Sequence, residues 1–221
     1  MKTIEKLQWR YAVKKFDNTK FLSNEQMQLL KEAFNLTATS YGLQPAKLLV
    51  IQNKEIQKEL VAHSWNQRQV LDASHLLVIC VPKSYTTQEV QNYFNLVQKI
   101  RNTPDEIINP FKKFLTAEIE KKTQEELLIW NKNQAYLALG NLLTVCAIEQ
   151  IDSCPMEGFV PEKYDEVFFA VGIHPYDIDE YDEAVMEKYV NHPKCIAIGE
   201  CGLDYYRLPD HEIEKQENIK K

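Results

Sequence analysis

The stretch from Gln124 to Gln150 constrains the fold of this chain more than any other. It reads as one long helix, free of proline and of interior glycine except Gly140. Its apolar positions Leu127, Leu128, Trp130, Ala135, Leu139, Leu142, Val145, Cys146 and Ile148 nearly encircle it toward the C-terminal half. A helix apolar on most sides lies centrally in a core or in an interface between subunits. The chain of 221 residues is long enough to bury such an element, and 44% hydrophobic with 26% charged residues is ordinary globular composition. No window approaches the ~18 consecutive apolar residues of a membrane span. The N-terminus lacks the apolar run of a secretory signal. Cysteines 80, 146, 154, 195 and 201 are odd in number and form no C-x-x-C pair. They read as reduced thiols in a cytoplasmic protein.

Around the long helix the chain alternates helical and strand-like segments. Ser23 and Gln26 fit a capping box, and Met27, Leu30, Ala33 and Phe34 follow at helical spacing, giving a helix over about 24–35. Lys47–Ile51 and His75–Val81 are strand-like, the second ended by Pro82. Residues 55–62, 86–101 and 110–122 read as helices. The result is an α+β chain, rich in helix, with few strands.

Charge divides the chain unevenly. Residues 1–160 hold 19 Lys/Arg and 17 Asp/Glu, a net of +2, whereas 161–221 hold 7 and 15, a net of −8. The acidic part is not low-complexity. Val167–Ile173 and Cys195–Gly199 read as buried strands flanking a helix near 181–191, a β-α-β pattern.

Four polar segments can carry chemistry. In Arg10-Tyr11-Ala12-Val13-Lys14-Lys15-Phe16-Asp17, two cations four residues apart can clamp a phosphate or simply face solvent. Ala38-Thr39-Ser40-Tyr41-Gly42-Leu43-Gln44-Pro45 is a polar turn, either a connection or a close backbone approach at Gly42. In Trp65-Asn66-Gln67-Arg68-Gln69, the Asn66 and Gln69 amides suit a ring edge or a polyol chain. His75, shortly after, is the kind of strand-start histidine more often packed than catalytic. In Asp152-Ser153-Cys154-Pro155-Met156-Glu157-Gly158-Phe159, Pro155 and Gly158 shape a tight segment able to approach a planar ligand, and Glu157 reads equally as a surface charge.

Together and in this order, R-Y-A-V-K-K-F-D, S-Y-G-L-Q-P, N-Q-R-Q-V-L-D-A-S-H and C-P-M-E-G-F make residues 1–162 resemble the FMN-dependent, oxygen-insensitive nitroreductase family. The resemblance implies a nitroreductase-like α+β flavoprotein fold, with a mixed central sheet flanked by helices. It implies a homodimer with FMN at the subunit interface. It also implies ping-pong hydride transfer from NAD(P)H to nitroaromatics or quinones. By it, Arg10 and Lys14 lie near the FMN phosphate and ribityl chain beside the backbone of Tyr11 and Ala12. Asn66 and Gln69 contact the flavin, and Pro155, Met156, Glu157 and Gly158 line one flavin edge. Thr39, Ser40 and Gly42 reach in from the partner subunit. No side-chain acid or base is implied, because the flavin carries the chemistry. Neither membrane nor nucleic acid is expected as a partner. Two positions depart from the family: Gln69 stands where a lysine is frequent, and Ala46 where a tryptophan is common.

From about residue 163 the sequence changes character. Gly172-Ile173-His174-Pro175 and Gly199-Glu200-Cys201-Gly202-Leu203-Asp204-Tyr205-Tyr206 resemble TatD-type metal-dependent deoxyribonucleases. In that family the glutamate matching Glu200 ligates a metal pair, with an N-terminal H-x-H among its partners. No H-x-H occurs in this chain, and two β-α units cannot close an eight-stranded barrel. Residues 163–221 therefore read as a fragment, not an independent domain, and no metal is expected. The alternatives to the flavoenzyme are a deoxyribonuclease fragment and a non-functional hybrid. Val167–Ile173 is expected to join the nitroreductase sheet. Residues from about 200, including Arg207, are expected to pack poorly and to leave FMN affinity below that of an intact family member.

Overall fold

The computed structural model describes residues 2–164, together with the backbone of 169–171 and 195–198. It divides into two compact units, 1–159 and 160–221. The first unit contains α1 (Lys2–Trp9), α2 (Asn24–Asn35), β1 (Lys47–Ile51), α3 (Lys54–Ala62), α4 (Gln69–Asp72), β2 (Leu76–Cys80), α5 (Thr87–Arg101), α6 (Asp105–Glu120) and α7 (Gln124–Glu149).

Local chemistry sets most of the helix starts. Ser23, Thr86 and Thr123 each form a capping box with a Gln or Glu three residues on, so two otherwise orphaned N–H groups are satisfied at each start. Asn102 and Gln150 end α5 and α7 in the left-handed conformation. Helix α6 begins earlier than its sequence suggests. Pro104 occupies the cap position and Pro110 lies inside the helix. The missing Pro110 N–H costs one backbone bond. Ile108, Leu115 and Ile119 are buried at helical spacing across it, and Asp105 and Glu106 face the positive helix start.

Two apolar clusters hold the first unit. In one, α5, α6 and the start of α7 bury Val90, Phe94, Ile108, Leu115, Ile119 and Leu127 around Leu43 and Tyr85. Burial pushes the Tyr85 phenol up to about 12. In the other, Met27 and Leu30 of α2 meet Leu142 and Cys146 of α7. The β1–β2 pair covers that cluster. It is antiparallel, with Leu48 opposite Ile79 and Val50 opposite Leu77, and these four side chains pack on the cluster. Alternation along each strand places them on one face.

Helix α7 buries one stripe: Leu127, Asn131, Gln134, Ala138, Leu142 and Cys146. These recur every three or four residues, as one face of a helix must. The reading of a helix apolar on most sides is met differently on its far side, where Ile129, Tyr136, Leu137 and Ile148 remain exposed.

In the second unit, α8 (Pro161–Tyr164) precedes β3 (Phe169–Val171) and β4 (Cys195–Ile198), which pair in parallel. This corrects one expectation. Among the described residues, the core of Val167–Ile173 pairs with β4 and not with β1 or β2. A parallel pair needs a crossover of a dozen or more residues, and the segment between β3 and β4 is long enough to provide it. The expected helix near 181–191 and the residues from 200 onward lie outside the described residues.

The buried face of α7 leads to a stability prediction. Leu127 is 1% exposed at the junction of α5, α6 and α7. Leu127→Ala should cost about 2–5 kcal/mol in urea unfolding. Leu96→Ala, at a position 54% exposed on α5, should change stability by less than about 0.5 kcal/mol.

Candidate functional site

Segment 10–14 and loop 153–158 meet as backbone. Ala12 forms a parallel bridge with Ser153, and the Val13 N–H donates to the Ser153 carbonyl at 3.3 Å. Val13 is buried and fixes the segment, while Tyr11, Lys14 and Lys15 on either side are exposed and Arg10 is half-buried. Among the described residues, neither Arg10 nor Lys14 is engaged in an ion pair. Their cationic groups are available to an anion.

The 65–69 segment lies on the same loop from the other side. Gln67 Nε2 donates to the Gly158 carbonyl at 3.2 Å. A Cβ on Gly158 would sit 2.6 Å from Trp65 Cε3 and 3.0 Å from Gln67 Nε2, so only glycine admits this approach. Trp65 and Asn66 are both left-handed, at φ 53° and 57°. That conformation costs roughly 1–2 kcal/mol for most non-glycine residues, asparagine being the most tolerant. The surrounding turn supports it: the Asn66 N–H donates to the Val61 carbonyl, and Ser64 Oγ donates to the Leu60 carbonyl.

Helix α3 anchors the far end of that segment. Lys54 Nζ donates to the carbonyls of Leu71 and Ala73, and Gln57 Nε2 to those of Val70 and Ala73. Short α4, which begins at Gln69, is thereby tied to the body of the unit. Arg68 is committed to Asp72, at 2.9 Å.

Loop 153–158 has a third attachment. Tyr136 of α7 donates its hydroxyl proton to Glu157 Oε1. The contact with the carboxylate raises the phenol above its ordinary value.

The Ser40–Gly42 turn goes elsewhere. The Ser40 N–H donates to Gln134 Oε1 at 2.8 Å, and Thr39 Oγ1 accepts from the Gln44 N–H. Gly42 is left-handed at φ 72°, and a Cβ there would meet Tyr93 Oη at 2.8 Å. Gln134 and Tyr136 are two positions apart on α7, hence about 200° around it. The 39–42 turn and the 153–158 loop are thus attached to opposite sides of one helix.

Of the sequence-derived candidates, Tyr11, Ala12, Arg10 and Lys14 therefore share one locality with Pro155, Met156, Glu157 and Gly158, and Asn66 and Gln69 adjoin it. Thr39, Ser40 and Gly42 form a separate group within the chain. Sequence reasoning assigned no role to Trp65, Gln67, Tyr136 or Ser153. Their contacts join residues 21–141 positions apart, and no local pattern announces such pairs. His75 lies apart from both groups, with Nδ1 2.7 Å from Ser74 Oγ.

Comparison with known proteins places this geometry in a family. The model of the Nitroreductase family matches residues 7–175. A Staphylococcus epidermidis protein provisionally named an NAD(P)H nitroreductase is 35% identical over 187 residues, covering 83% of this chain and 84% of its own. A similarly named Staphylococcus aureus protein is 34% identical over 80% of this chain and 81% of its own. The chain belongs to the nitroreductase family. Solved structures agree in fold. A Bacillus subtilis protein provisionally named a nitroreductase matches with TM-score 0.66 at 15% identity, over 95% of each chain. An Exiguobacterium sibiricum counterpart, solved in complex with FMN, matches with TM-score 0.63 at 17% identity, covering 96% of this chain and 95% of its own. A second family model, TatD related DNase, matches residues 143–220 and overlaps the first over 143–175. Among the described residues, no helix is long and apolar enough to cross a membrane, and no cluster of three or more His, Cys, Asp or Glu side chains can hold a metal.

Two outcomes follow from this geometry. Gly158→Ala should displace the Trp65 indole, shift its fluorescence, and cost about 1 kcal/mol in unfolding. Adding Trp65→Ala should remove most of that cost, as a double-mutant cycle would show. The second concerns pH. Burial pushes His75 below its ordinary value of 6.5, and the Lys54 and Lys31 cations add to the effect. The unfolded ring therefore takes its proton at a higher pH than the folded ring. Stability is unaffected above about pH 7 and falls as the pH drops through about 6.5. Urea midpoints should decline more steeply from about pH 7 to pH 5 in the parent than in His75→Gln.

Proposed function

We propose that this chain is an FMN-dependent NAD(P)H oxidoreductase that reduces nitroaromatic or quinone acceptors by a ping-pong route. The observation that carries the reading is the meeting of segment 10–14, segment 65–69 and loop 153–158, with two cations at its edge that form no ion pair among the described residues. The tight loop shaped by Pro155 and Gly158 suits the edge of a flat ligand, and Arg10 with Lys14 suits a phosphate. The named relatives and the FMN-bound structural neighbour support the same cofactor.

In this reading Arg10 and Lys14 hold the phosphate and the end of the ribityl chain, beside the backbone of Tyr11 and Ala12. Asn66 and Gln69 offer amide donors and acceptors to the ring system. Pro155, Met156, Glu157 and Gly158 line one edge of it. FMN, when bound, supplies the hydride-carrying ring, so none of these side chains is asked to act as acid or base. Their work is to bind, to orient and to keep water from one face of the site.

Thr39, Ser40 and Gly42 complete the site from a second copy. Their attachment to the opposite side of α7 supports this, since one chain cannot present both groups to one ligand through that helix. The exposed Ile129, Leu137 and Ile148 of α7 offer apolar surface for a homodimer. The domain reading accompanies it: residues 1–162 form the flavin-binding domain, and 163–221 are a TatD-like fragment without a nuclease site of its own. The protein is assigned to the cytoplasm on its thiols.

Titration of the flavin-free protein with FMN, read by the flavin absorption bands and by the mass of the complex, tests the whole assignment. A yellow dimer is expected. Arg10→Ala should weaken FMN binding by about tenfold or more, the value of a charge-assisted hydrogen bond, and Lys15→Ala should not. Absence of flavin binding, or equal affinity in the two variants, overturns the assignment.

A further inference from the structure

Loop 153–158 carries no regular secondary structure beyond the single bridge at Ser153. Its position comes from three attachments to three different parts of the fold. The Val13 N–H holds the Ser153 carbonyl at its start, and Gln67 Nε2 holds the Gly158 carbonyl at its end. Between them stand Cys154, Pro155, Met156 and Glu157, and Pro155 has no N–H to give. The middle of the loop is reached from α7 alone among the described attachments, through the hydrogen bond from Tyr136 to the Glu157 carboxylate. The phenol stands on the longest helix of the chain, one face of which is packed in the core. It is therefore a donor fixed on a helix and aimed at an acceptor in a loop.

We propose that Tyr136 is a positioning residue for the cofactor: it holds Glu157 by its side chain, so that the Met156–Gly158 backbone keeps the orientation in which it meets the flavin. The role rests on the flavin reading above. It assigns the Glu157 side chain to the protein, the Phe159 N–H holds its carbonyl at 3.0 Å, and its N–H is left to the ligand. The Glu157 charge is thereby turned toward α7. The same hydrogen bond restricts the torsions of a residue flanked by Met156 and Gly158, neither of which is stiff at the side chain or, for Gly158, at the backbone.

The test uses the full chain with three substitutions and three readouts. Tyr136→Phe removes the donor, Glu157→Ala removes the acceptor, and Glu157→Gln keeps an acceptor oxygen. In the flavin-free protein, amide exchange over Met156–Phe159 reports local opening. Tyr136→Phe and Glu157→Ala should speed it, whereas Glu157→Gln should stay near the parent. Titration with FMN should then show dissociation constants raised by about two- to fivefold in the first two variants, the range of an exposed pair, and close to the parent in the third. Thermal unfolding should be the same in all four proteins, since the pair lies outside the core. FMN binding by the parent with no change of exchange in Tyr136→Phe overturns this role alone. Faster exchange with unchanged FMN affinity also overturns it. A parent chain that binds no FMN overturns the flavin reading and this role with it.

Discussion

The buried stripe of α7 is the constraint to which the rest of the first unit is fitted. Leu142 and Cys146 receive α2 and the β1–β2 sheet, and Leu127 closes the cluster between α5 and α6. Two of its members, Asn131 and Gln134, are polar. Burying an amide is tolerable when the fold supplies partners. Gln134 finds them in the Trp130 carbonyl and the Ser40 N–H. The requirement of one buried glutamine thus fixes the Ser40–Gly42 turn. From the opposite side of the helix, Tyr136 reaches loop 153–158. Core packing and site assembly are in this way settled by residues two positions apart.

Legibility from sequence followed the range of the interactions. Helix starts written by Ser23, Thr86 and Thr123 depend on residues three apart, and strands such as Leu76–Cys80 on a run of adjacent apolar side chains. Such elements are visible without a structure. The start of α6 was obscured because Pro110 resembles a beginning, whereas the burial of Ile108 that keeps the helix going through it is a tertiary fact. The four polar segments were recognisable as motifs. The contact that joins the first of them to the last was not, because Ala12 and Ser153 are joined by backbone groups that every residue carries. Nor did any pattern mark Trp65 as the neighbour that requires glycine at 158. The pairing of β3 with β4 shows the same limit. Apolar bulk identifies Phe169–Val171 as a strand but does not say which strand it joins.

The two family models overlap over 143–175, and the boundary between the two compact units falls inside that overlap. Residues bearing the flavoenzyme motifs form one compact unit ending at Phe159. The parallel β3–β4 pair belongs to the other. Among the described residues, the attachments of loop 153–158 from Val13, Gln67 and Tyr136 all come from the first unit.

The bridge between Ala12 and Ser153 also has a temporal meaning. A ribosome adds roughly 5–20 residues each second, so Val13 waits on the order of ten seconds for the carbonyl it will bind. During that interval α1 and segment 10–14 have no sheet partner, and Arg10, Lys14 and Lys15 keep the segment charged and soluble. The candidate site is therefore closed by one of the last pieces of the first unit to be synthesised. A nascent chain interrupted before residue 153 would hold most of its core and none of its assembled site.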